Sequence, residues 1–201
     1  MHTVVNKVKS VVYGHGRGWC MIPAYFRQAG TDVSVRKALS VLQKQGVVRR
    51  LSKGIYDYPV KDDVLGIIPP DVDKVAQAYA DKNKIRIQPT GAYAANLLGF
   101  DNQVPARVVF LTDGNSKKMT IGNTVYSFRK TSPKNMALAG RQIGLVIQAL
   151  RHIGKDNITP KVEMVLRDRL HHIELKEIKL SDKYAPSWVR GLIRKAKDGE
   201  L

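Results

Sequence analysis

A change of hydrophobic period at Gly46 constrains the fold of this 201-residue chain more than any other feature of its sequence. Across residues 31–45 the apolar positions recur at i, i+3, i+4 and i+7, which is the spacing of one buried stripe on an α-helix. That stripe consists of Val35, Ala38, Leu39 and Leu42. After the glycine, two β-rich runs at 47–51 and 55–58 are joined by the turn residues 52–54. The sequence therefore predicts a helix that ends at Gly46 and is followed directly by a β-hairpin.

Two further helices are predicted before this segment. A set of valines at helical spacing predicts a first amphipathic helix, which ends at the glycine-rich loop 14–18. These valines are Val4, Val5, Val8, Val11 and Val12. Pro23 suits the first position of a short helix over residues 24–29, and Thr31 is expected to cap the third helix. The order helix, helix, helix, hairpin predicts a winged helix-turn-helix domain over residues 1–62.

The remaining residues, 63–201, predict a larger second domain. Acidic and proline residues in the segment 61–70 indicate a linker, and Asp71 is expected to cap the helix that follows. We expect strands in a small antiparallel meander at 107–111, 119–121 and 124–128. We expect a short helix at 90–98 and C-terminal helices at 141–152, 161–170 and 186–197. The predicted fold class is therefore α+β, with a winged helix-turn-helix followed by an α+β domain that carries a small antiparallel sheet and C-terminal helices.

The chain is strongly basic, with 34 Lys and Arg residues against 17 Asp and Glu residues and a formal net charge of +17. Within residues 1–60, ten basic side chains accompany only two acidic ones. A positive field attracts polyanions, of which nucleic acid is the first expectation and an anionic membrane surface the second. The alternative is a basic surface that only keeps the protein soluble.

The cysteine count and the length of the apolar runs indicate the cellular compartment. Cys20 is the only cysteine, which excludes an intramolecular disulfide and fits a reducing environment. The N-terminal apolar runs are too short for a signal peptide, and no stretch approaches the roughly 18 apolar residues of a membrane span. The sequence predicts a cytoplasmic protein with no membrane partner.

The third predicted helix carries the candidate DNA-reading face. Its N-cap and outward-facing side chains are hydroxyls and cations: Thr31, Ser34, Arg36, Lys37, Ser40 and Lys44. A helix in the major groove needs long donors for guanine edges and phosphates, and small polar residues where it approaches the bases closely. Free N–H groups at the helix N-terminus can also meet a phosphate. The alternative is a helix face that is cationic only for solubility.

The predicted hairpin adds Arg49, Arg50, Ser52 and Lys53 to the candidate DNA-binding residues. We expect Arg49, Arg50 and Lys53 near the tip of the wing, where cations contact the DNA backbone or the minor groove. The sequence leaves the register at the turn open. The alternative is that these charges protect an exposed strand edge.

Patterns typical of enzymes and metal sites are weak. The glycines at 14, 16 and 18 follow a helix rather than a strand and match no phosphate-loop pattern. His171, His172 and Glu174 lack the HExxH spacing of a zinc site. No GxSxG nucleophile elbow is present. We therefore predict no catalytic residue, no metal and no cofactor.

Several segments together resemble a known family. They are the run 35–42 with Gly46, the run 49–59, the run 89–99 and the run 103–106 continuing into 110–114. In these runs the chain resembles the AbiEi antitoxins of bacterial type IV toxin-antitoxin systems, over most of its length. The resemblance implies an N-terminal domain that represses its own operon. It also implies a C-terminal domain that neutralises a nucleotidyltransferase-like toxin.

Three alternatives to this interpretation stay open. The chain can be a stand-alone transcriptional regulator without a toxin partner, because some relatives of the antitoxins stand alone. It can be an enzyme that modifies the toxin covalently. It can also be an interaction protein whose basic face binds an acidic partner protein. The operator and the oligomeric state are not determined by the sequence.

Overall fold

The contacts of this α+β chain fall into two units, residues 1–84 and residues 85–201. The computed structural model describes residues 3–199. The boundary predicted between residues 62 and 63 lies inside the first unit. The reason is that helix α3, Val72–Asn83, packs on the strands Cys20–Met21 and Ile55–Asp57.

The first unit contains the following elements in chain order: α1 (Val4–His15), β1 (Cys20–Met21), a 3-10 helix (Pro23–Phe26), α2 (Asp32–Lys44), β2 (Arg49–Ser52), β3 (Ile55–Asp57), β4 (Lys61–Asp62), β5 (Gly66–Ile67) and α3 (Val72–Asn83).

Helix α2 begins and ends as the sequence predicts. The Thr31 hydroxyl accepts a hydrogen bond from the Ser34 backbone N–H at 3.3 Å, as an N-cap does. At the other end Gly46 has a φ of +69°, a value that a glycine adopts without steric cost. Its N–H bonds the Gln43 carbonyl at 3.0 Å, and the Val47 N–H bonds the Leu42 carbonyl at 2.9 Å. These are the two bonds of a Schellman motif, so the chain leaves the helix at a defined angle.

The predicted second helix over residues 24–29 is wrong in type and length. The chain forms a 3-10 helix at Pro23–Phe26 instead, with the Tyr25 N–H bonded to the Ile22 carbonyl at 3.1 Å. A turn follows, in which the Ala29 N–H bonds the Phe26 carbonyl at 2.9 Å. Short segments of this kind favour i to i+3 bonds over a complete α-helical turn.

The predicted hairpin is present, with an additional strand beside it. Strands β2 and β3 pair antiparallel, and β1 pairs with the other edge of β3, so the sheet has the order β1-β3-β2. Strand β1 contains two residues, too few for a detectable alternation, and it was not predicted. Helices α1 and α2 pack together over a core that includes Val8, Val12, Phe26, Leu39 and Leu42.

The segment predicted to be a linker carries a second small hairpin, formed by β4 and β5. Its turn is built by Asp62, whose carboxylate accepts hydrogen bonds from the backbone N–H groups of Val64 and Leu65 at 2.9 and 2.8 Å. An aspartate that bonds the backbone two and three residues ahead is a local turn former. The predicted Asp71 cap is confirmed, since its carboxylate accepts from the Lys74 N–H at 2.9 Å.

The second unit contains the following elements in chain order: β6 (Ile87–Thr90), α4 (Ala92–Leu98), β7 (Arg107–Thr112), β8 (Lys117–Ile121), β9 (Thr124–Lys130), α5 (Pro133–Met136), α6 (Gln142–Ile153), a 3-10 helix (Lys155–Asn157), α7 (Pro160–His171), α8 (Leu175–Ile178), α9 (Ser181–Tyr184) and α10 (Ser187–Asp198).

The predicted antiparallel meander is wrong in its strand order. Strands β8 and β9 form the expected hairpin, but β9 also pairs with β7 in parallel, and the sheet has the order β6-β7-β9-β8. Strand β9 carries the buried residues Tyr126, Ser127 and Phe128, whereas β8 is mostly exposed. The more buried strand therefore takes the inner position, and β8 lies at the edge.

The predicted short helix at 90–98 and the C-terminal helices are confirmed as α4, α6, α7 and α10, with small shifts at their ends. Thr159 caps α7 and Pro160 occupies its first turn, as expected. The helices bury one apolar cluster, centred on Ile143, Leu150, Leu166 and Val189. Strand β6 was not predicted; it contains Pro89 and lies at the edge of its sheet, where a missing N–H is tolerated.

Candidate nucleic-acid interface

Helix α2 buries one face and exposes the other. The predicted stripe Val35, Ala38, Leu39 and Leu42 is at most 1% exposed. On the opposite side Arg36, Lys37, Ser40 and Lys44 are all exposed. The cations are therefore held on a helix whose inner face is fixed by packing, and the prediction of which face is exposed is confirmed.

The two hydroxyl residues at the start of α2 have local partners. The Thr31 hydroxyl bonds the Ser34 hydroxyl at 3.0 Å, and the Ser34 hydroxyl also donates to the Thr31 carbonyl at 2.8 Å. Ser34 is half-buried. These bonds form the N-terminal cap of the helix, so Thr31 and Ser34 position the exposed cations that follow them.

Arg36 has an acidic neighbour on the same helix. Its Nε donates to the Asp32 carboxylate at 2.8 Å, and the two side chains are 65% and 62% exposed. An exposed i, i+4 pair of this kind is weak. It holds the guanidinium along the helix surface without removing it from solvent.

Val33 extends this exposed face and was not among the predicted residues. It lies in the first turn of α2 with 64% of its surface exposed. The signal in the sequence is an apolar residue outside the buried stripe, at the start of a helix. An exposed apolar side chain beside cations suits contact with a thymine methyl group.

Arg49 does not lie at the hairpin tip, contrary to the prediction. It pairs with Asp57 at the far end of β2, and its guanidinium donates to both carboxylate oxygens, at 3.1 and 2.6 Å. A third bond runs to the Ile68 carbonyl at 3.2 Å. The Asp57 residue is only 1% exposed. Because Arg49 neutralises this buried carboxylate, its role is structural, and it leaves the candidate surface.

The other hairpin candidates lie close to the turn. Ser52 pairs with Ile55, so Lys53 and Gly54 form the tip. Arg50 and Lys53 are exposed, and Ser52 is half-buried. Gly54 has a φ of +71°, which a residue with a Cβ adopts only with strain. The hairpin therefore presents Arg50 and Lys53 to solvent from a fixed turn.

Lys82, on the last turn of α3, completes the cationic group and was not predicted. Its ammonium donates to the Lys53 backbone carbonyl. Burial and the nearby charges of Lys53, Arg36 and Arg50 lower the pKa of Lys82. No pattern within a short sequence window connects Lys82 to the hairpin, because the contact spans 29 residues.

These side chains surround a cleft of about 390 Å³, which we call the hairpin cleft. Its lining consists of Ile22, Pro23, Ala24, Asp32, Arg36, Arg50, Lys53, Gly54, Tyr56 and Lys82. Helix α2, the 3-10 helix, the hairpin and α3 all contribute to it. Lys37, Ser40 and Lys44 lie outside it, further along the exposed face of α2.

The residues considered for other chemistry have ordinary surroundings. His171 and His172 are exposed at the end of α7, and the imidazole of His172 lies 3.9 Å from the Asp168 carboxylate. Within residues 3–199, no group of three or more His, Cys, Asp and Glu side chains is arranged to hold a metal ion. Across the same residues, no helix is both long and apolar enough to cross a membrane.

A comparison with known families assigns the chain to a family. A family model described as "Family of unknown function (DUF6088)" matches residues 6–178. The chain belongs to this family. A comparison with curated proteins finds no match. The DUF6088 match covers α2, the β2–β3 hairpin and Lys82, and it ends at the last residue of α8, before α10. The resemblance to AbiEi antitoxins stays a prediction.

Proposed function

We propose that this DUF6088 member is a sequence-specific, DNA-binding transcriptional regulator that acts in the cytoplasm. Its first unit is a winged helix-turn-helix, in which α2 is the recognition helix and the β2–β3 hairpin is the wing. One observation carries the proposal: Arg36, Lys37, Ser40 and Lys44 are exposed together on a helix whose other face is fully buried.

The chemistry of this exposed face supports base recognition. Arginine and lysine donate to the O6 and N7 atoms of guanine in the major groove, and serine accepts or donates at close approach. Val33, beside them, offers an apolar contact for a thymine methyl group. The face therefore combines groups that distinguish bases with groups that bind any phosphate.

The wing contributes affinity rather than sequence choice. Arg50 and Lys53 lie at or beside the turn, and neither makes a side-chain bond of the kind that holds Arg49 in place. Exposed cations on a hairpin contact the phosphate backbone or a narrow minor groove. The overall charge of +17 adds a long-range attraction for DNA.

The proposal is tested by fluorescence anisotropy with a duplex from the region upstream of the gene and a scrambled duplex of equal length. We expect the protein to prefer the upstream duplex, and we expect Arg36→Ala/Lys37→Ala to lose about 1–3 kcal/mol per base contact removed. Lys117→Ala/Lys118→Ala removes the same charge from the exposed strand β8 and is the matched control. Unchanged affinity in the α2 double variant would contradict the assignment of the recognition helix.

The antitoxin role is a further part of the proposal and rests on the resemblance alone. Under this part of the proposal, the protein represses its own operon and neutralises a nucleotidyltransferase-like toxin. Expression of the adjacent reading frame with and without this chain tests it. If the adjacent reading frame arrests growth and co-expression of this chain relieves the arrest, the result supports an antitoxin. The absence of any arrest favours a stand-alone regulator. A nucleotide-dependent increase in toxin mass favours an enzyme that modifies the toxin.

A further inference from the structure

The hairpin cleft brings together cations that are distant in sequence. Arg36 comes from α2, Arg50 and Lys53 come from the hairpin, and Lys82 comes from α3. Among the lining residues in the described part of the chain, the one carboxylate is Asp32, which already pairs with Arg36. Three positive charges therefore remain in excess around one concave space.

Lys82 is held in this position by a hydrogen bond, and its side chain lies beside Gly54. Its ammonium donates to the Lys53 carbonyl, and its Cε atom would lie 3.5 Å from a Cβ placed on Gly54. The alkyl chain thus packs across the turn at the one residue that has no side chain. An ammonium has three N–H donors, of which the bond to Lys53 uses one. The others are available at the cleft.

The assembled charges repel each other. Lys53, Arg36 and Arg50 each disfavour the charged form of Lys82, in addition to its partial burial. Folding brings these like charges together, and a bound anion would relieve their repulsion. The remaining lining is apolar or aromatic, with Ile22, Pro23, Ala24 and Tyr56. Such a wall reduces the local dielectric constant and strengthens the attraction for an anion.

We propose that the hairpin cleft binds a phosphate group, with Arg50 and Lys82 as its principal donors. Guanidinium and ammonium groups bind phosphate oxygens through charge-assisted hydrogen bonds. The phosphate comes either from the DNA backbone or from a free phosphate ester that regulates DNA binding. The first source rests on the proposed function, whereas the second does not need it.

The DNA arm of the test compares the unsubstituted protein with Lys82→Ala and Lys74→Ala. Both substitutions remove one charge from α3, but Lys74 lies outside the hairpin cleft. If a backbone phosphate occupies the cleft, Lys82→Ala lowers affinity equally for upstream and scrambled duplexes. It also reduces the slope of log K against log[salt] by about 1. Lys74→Ala leaves that slope unchanged, and Lys82→Arg retains it.

The free-ligand arm titrates the isotope-labelled protein with inorganic pyrophosphate and follows backbone amide shifts. If the ligand is a free phosphate ester, we expect saturable changes in the amide shifts of Lys53 and Gly54. These changes should persist in Lys74→Ala and disappear in Lys82→Ala. Unchanged circular dichroism and thermal midpoints keep these comparisons valid. Should Lys82→Ala fail to fold, Lys82→Gln and Arg50→Gln replace it.

The outcomes separate this inference from the proposed function. Saturable pyrophosphate binding without duplex binding supports the cleft and contradicts the DNA-binding proposal. The opposite result has two parts: Lys82→Ala leaves sequence-selective duplex binding unchanged, and pyrophosphate causes no saturable shift. This result overturns the phosphate site in the hairpin cleft and leaves the DNA-binding proposal standing.

Discussion

Arg49 and Asp57 lie directly opposite each other on β2 and β3, and the guanidinium of Arg49 bonds both carboxylate oxygens of Asp57. The Asp57 side chain is 2% exposed, and that of Arg49 is 31% exposed. The pair is thus a charged clamp that links the two strands at the base of the hairpin. Arg49 also donates a third bond to the Ile68 carbonyl, which connects the hairpin to the segment after β5.

Removing the arginine from this clamp should destabilise the first unit. Arg49→Ala leaves the Asp57 carboxylate buried and unpaired, so we expect a loss of roughly 2–4 kcal/mol in the free energy of unfolding. Urea denaturation measures this loss. Arg50→Ala is the control, because it removes the same charge from the next, exposed position and is expected to change stability by about 0.5 kcal/mol or less. Equal midpoints for the two variants would contradict the structural role of Arg49.

The helix and the hairpin should affect DNA binding in different ways. Lys37→Ala is expected to reduce discrimination between the upstream and scrambled duplexes, because base contacts carry sequence information. Arg50→Ala/Lys53→Ala is expected to weaken both duplexes equally and to lower the salt slope by about 2, one for each phosphate contact. Anisotropy titrations from low to moderate salt measure both effects. A loss of discrimination in the hairpin variant would assign base recognition to the hairpin instead.

The Cys20 thiol should be unreactive in the folded protein. It is 4% exposed, and burial, followed by the charges of Asp57 and Asp71, raises the pKa of Cys20 to about 12. Because the thiolate is the reactive form, a thiol reagent at pH 8 should label the native protein far more slowly than the denatured protein. Cys20 is the only cysteine, so this rate reports the opening of the first unit. Equally fast labelling of the native and denatured chains would show that β1 is not packed as described.

Two glycines in helices of the second unit should respond oppositely to alanine. A Cβ at Gly144 would clash with the Leu138 carbonyl oxygen, whereas a Cβ at Gly191 meets nothing within 4 Å. We expect Gly144→Ala to lose about 3 kcal/mol through overpacking against the backbone. We expect Gly191→Ala to gain up to about 1 kcal/mol from helix propensity. Thermal denaturation distinguishes the two, and a stabilising Gly144→Ala would contradict the contact between α6 and Leu138.

The pair of Arg86 and Asp113 should give a small dependence of stability on acid pH. The Arg86 guanidinium, 2.8 Å from the Asp113 carboxylate, lowers the pKa of Asp113, and the Arg86 backbone N–H contributes further. Because the folded pKa lies below the unfolded one, the contribution is present above the unfolded pKa and is lost as the pH falls through the folded value. The pair is exposed, so its contribution is about 1 kcal/mol or less.

A carboxyl titration by NMR checks the cause of that shift. Arg86→Ala should raise the pKa of Asp113 toward its ordinary value, because the guanidinium hydrogen bond to the carboxylate is lost. Arg107→Ala removes another exposed cation of the same unit, on β7, and should leave the pKa of Asp113 unchanged. An Asp113 pKa that is equal in the two variants would assign the shift to a source other than the Arg86 side chain.

Features with a local cause were predictable from the sequence. Helix α2 is set by the Thr31 cap, the spacing of its apolar stripe and the glycine at 46, and all three act within a few residues. The same holds for Asp71 and for Thr159. The exposed face of α2 followed from that stripe alone, since fixing the buried side of a helix also fixes the other side.

Features that depend on pairing between distant segments were not predictable. Strand β1 is two residues long, and only its bonds to β3 make it a strand. The parallel pairing of β7 with β9 joins segments on either side of β8, and no turn signal encodes it. By contrast, the hairpin in the segment 61–70 has a local cause, the Asp62 turn, and it was not predicted because the acidic and proline residues of this segment indicate a linker.

The candidate surface combines residues placed by local structure, which were predicted, with residues placed by distant contacts, which were not. Lys37, Ser40, Lys44 and Lys53 lie where expected, because helix period and turn chemistry place them. Arg49 and Arg50 are adjacent and chemically identical, and only the strand register decides that Arg49 faces Asp57 while Arg50 faces solvent. Lys82 joins the cleft through the packing of α3, which no short sequence window contains.

Selection from a pool of random-sequence duplexes is the sharpest test of DNA reading by α2, because it does not require the operator to be identified first. We expect the unsubstituted protein to enrich a defined motif at moderate salt. We expect Arg36→Ala/Lys37→Ala to flatten or change this motif, and Lys117→Ala/Lys118→Ala to enrich the same motif as the wild type. A pool that stays random with the wild-type protein, or an identical motif from the α2 variant, would contradict the assignment of α2 as the helix that reads DNA.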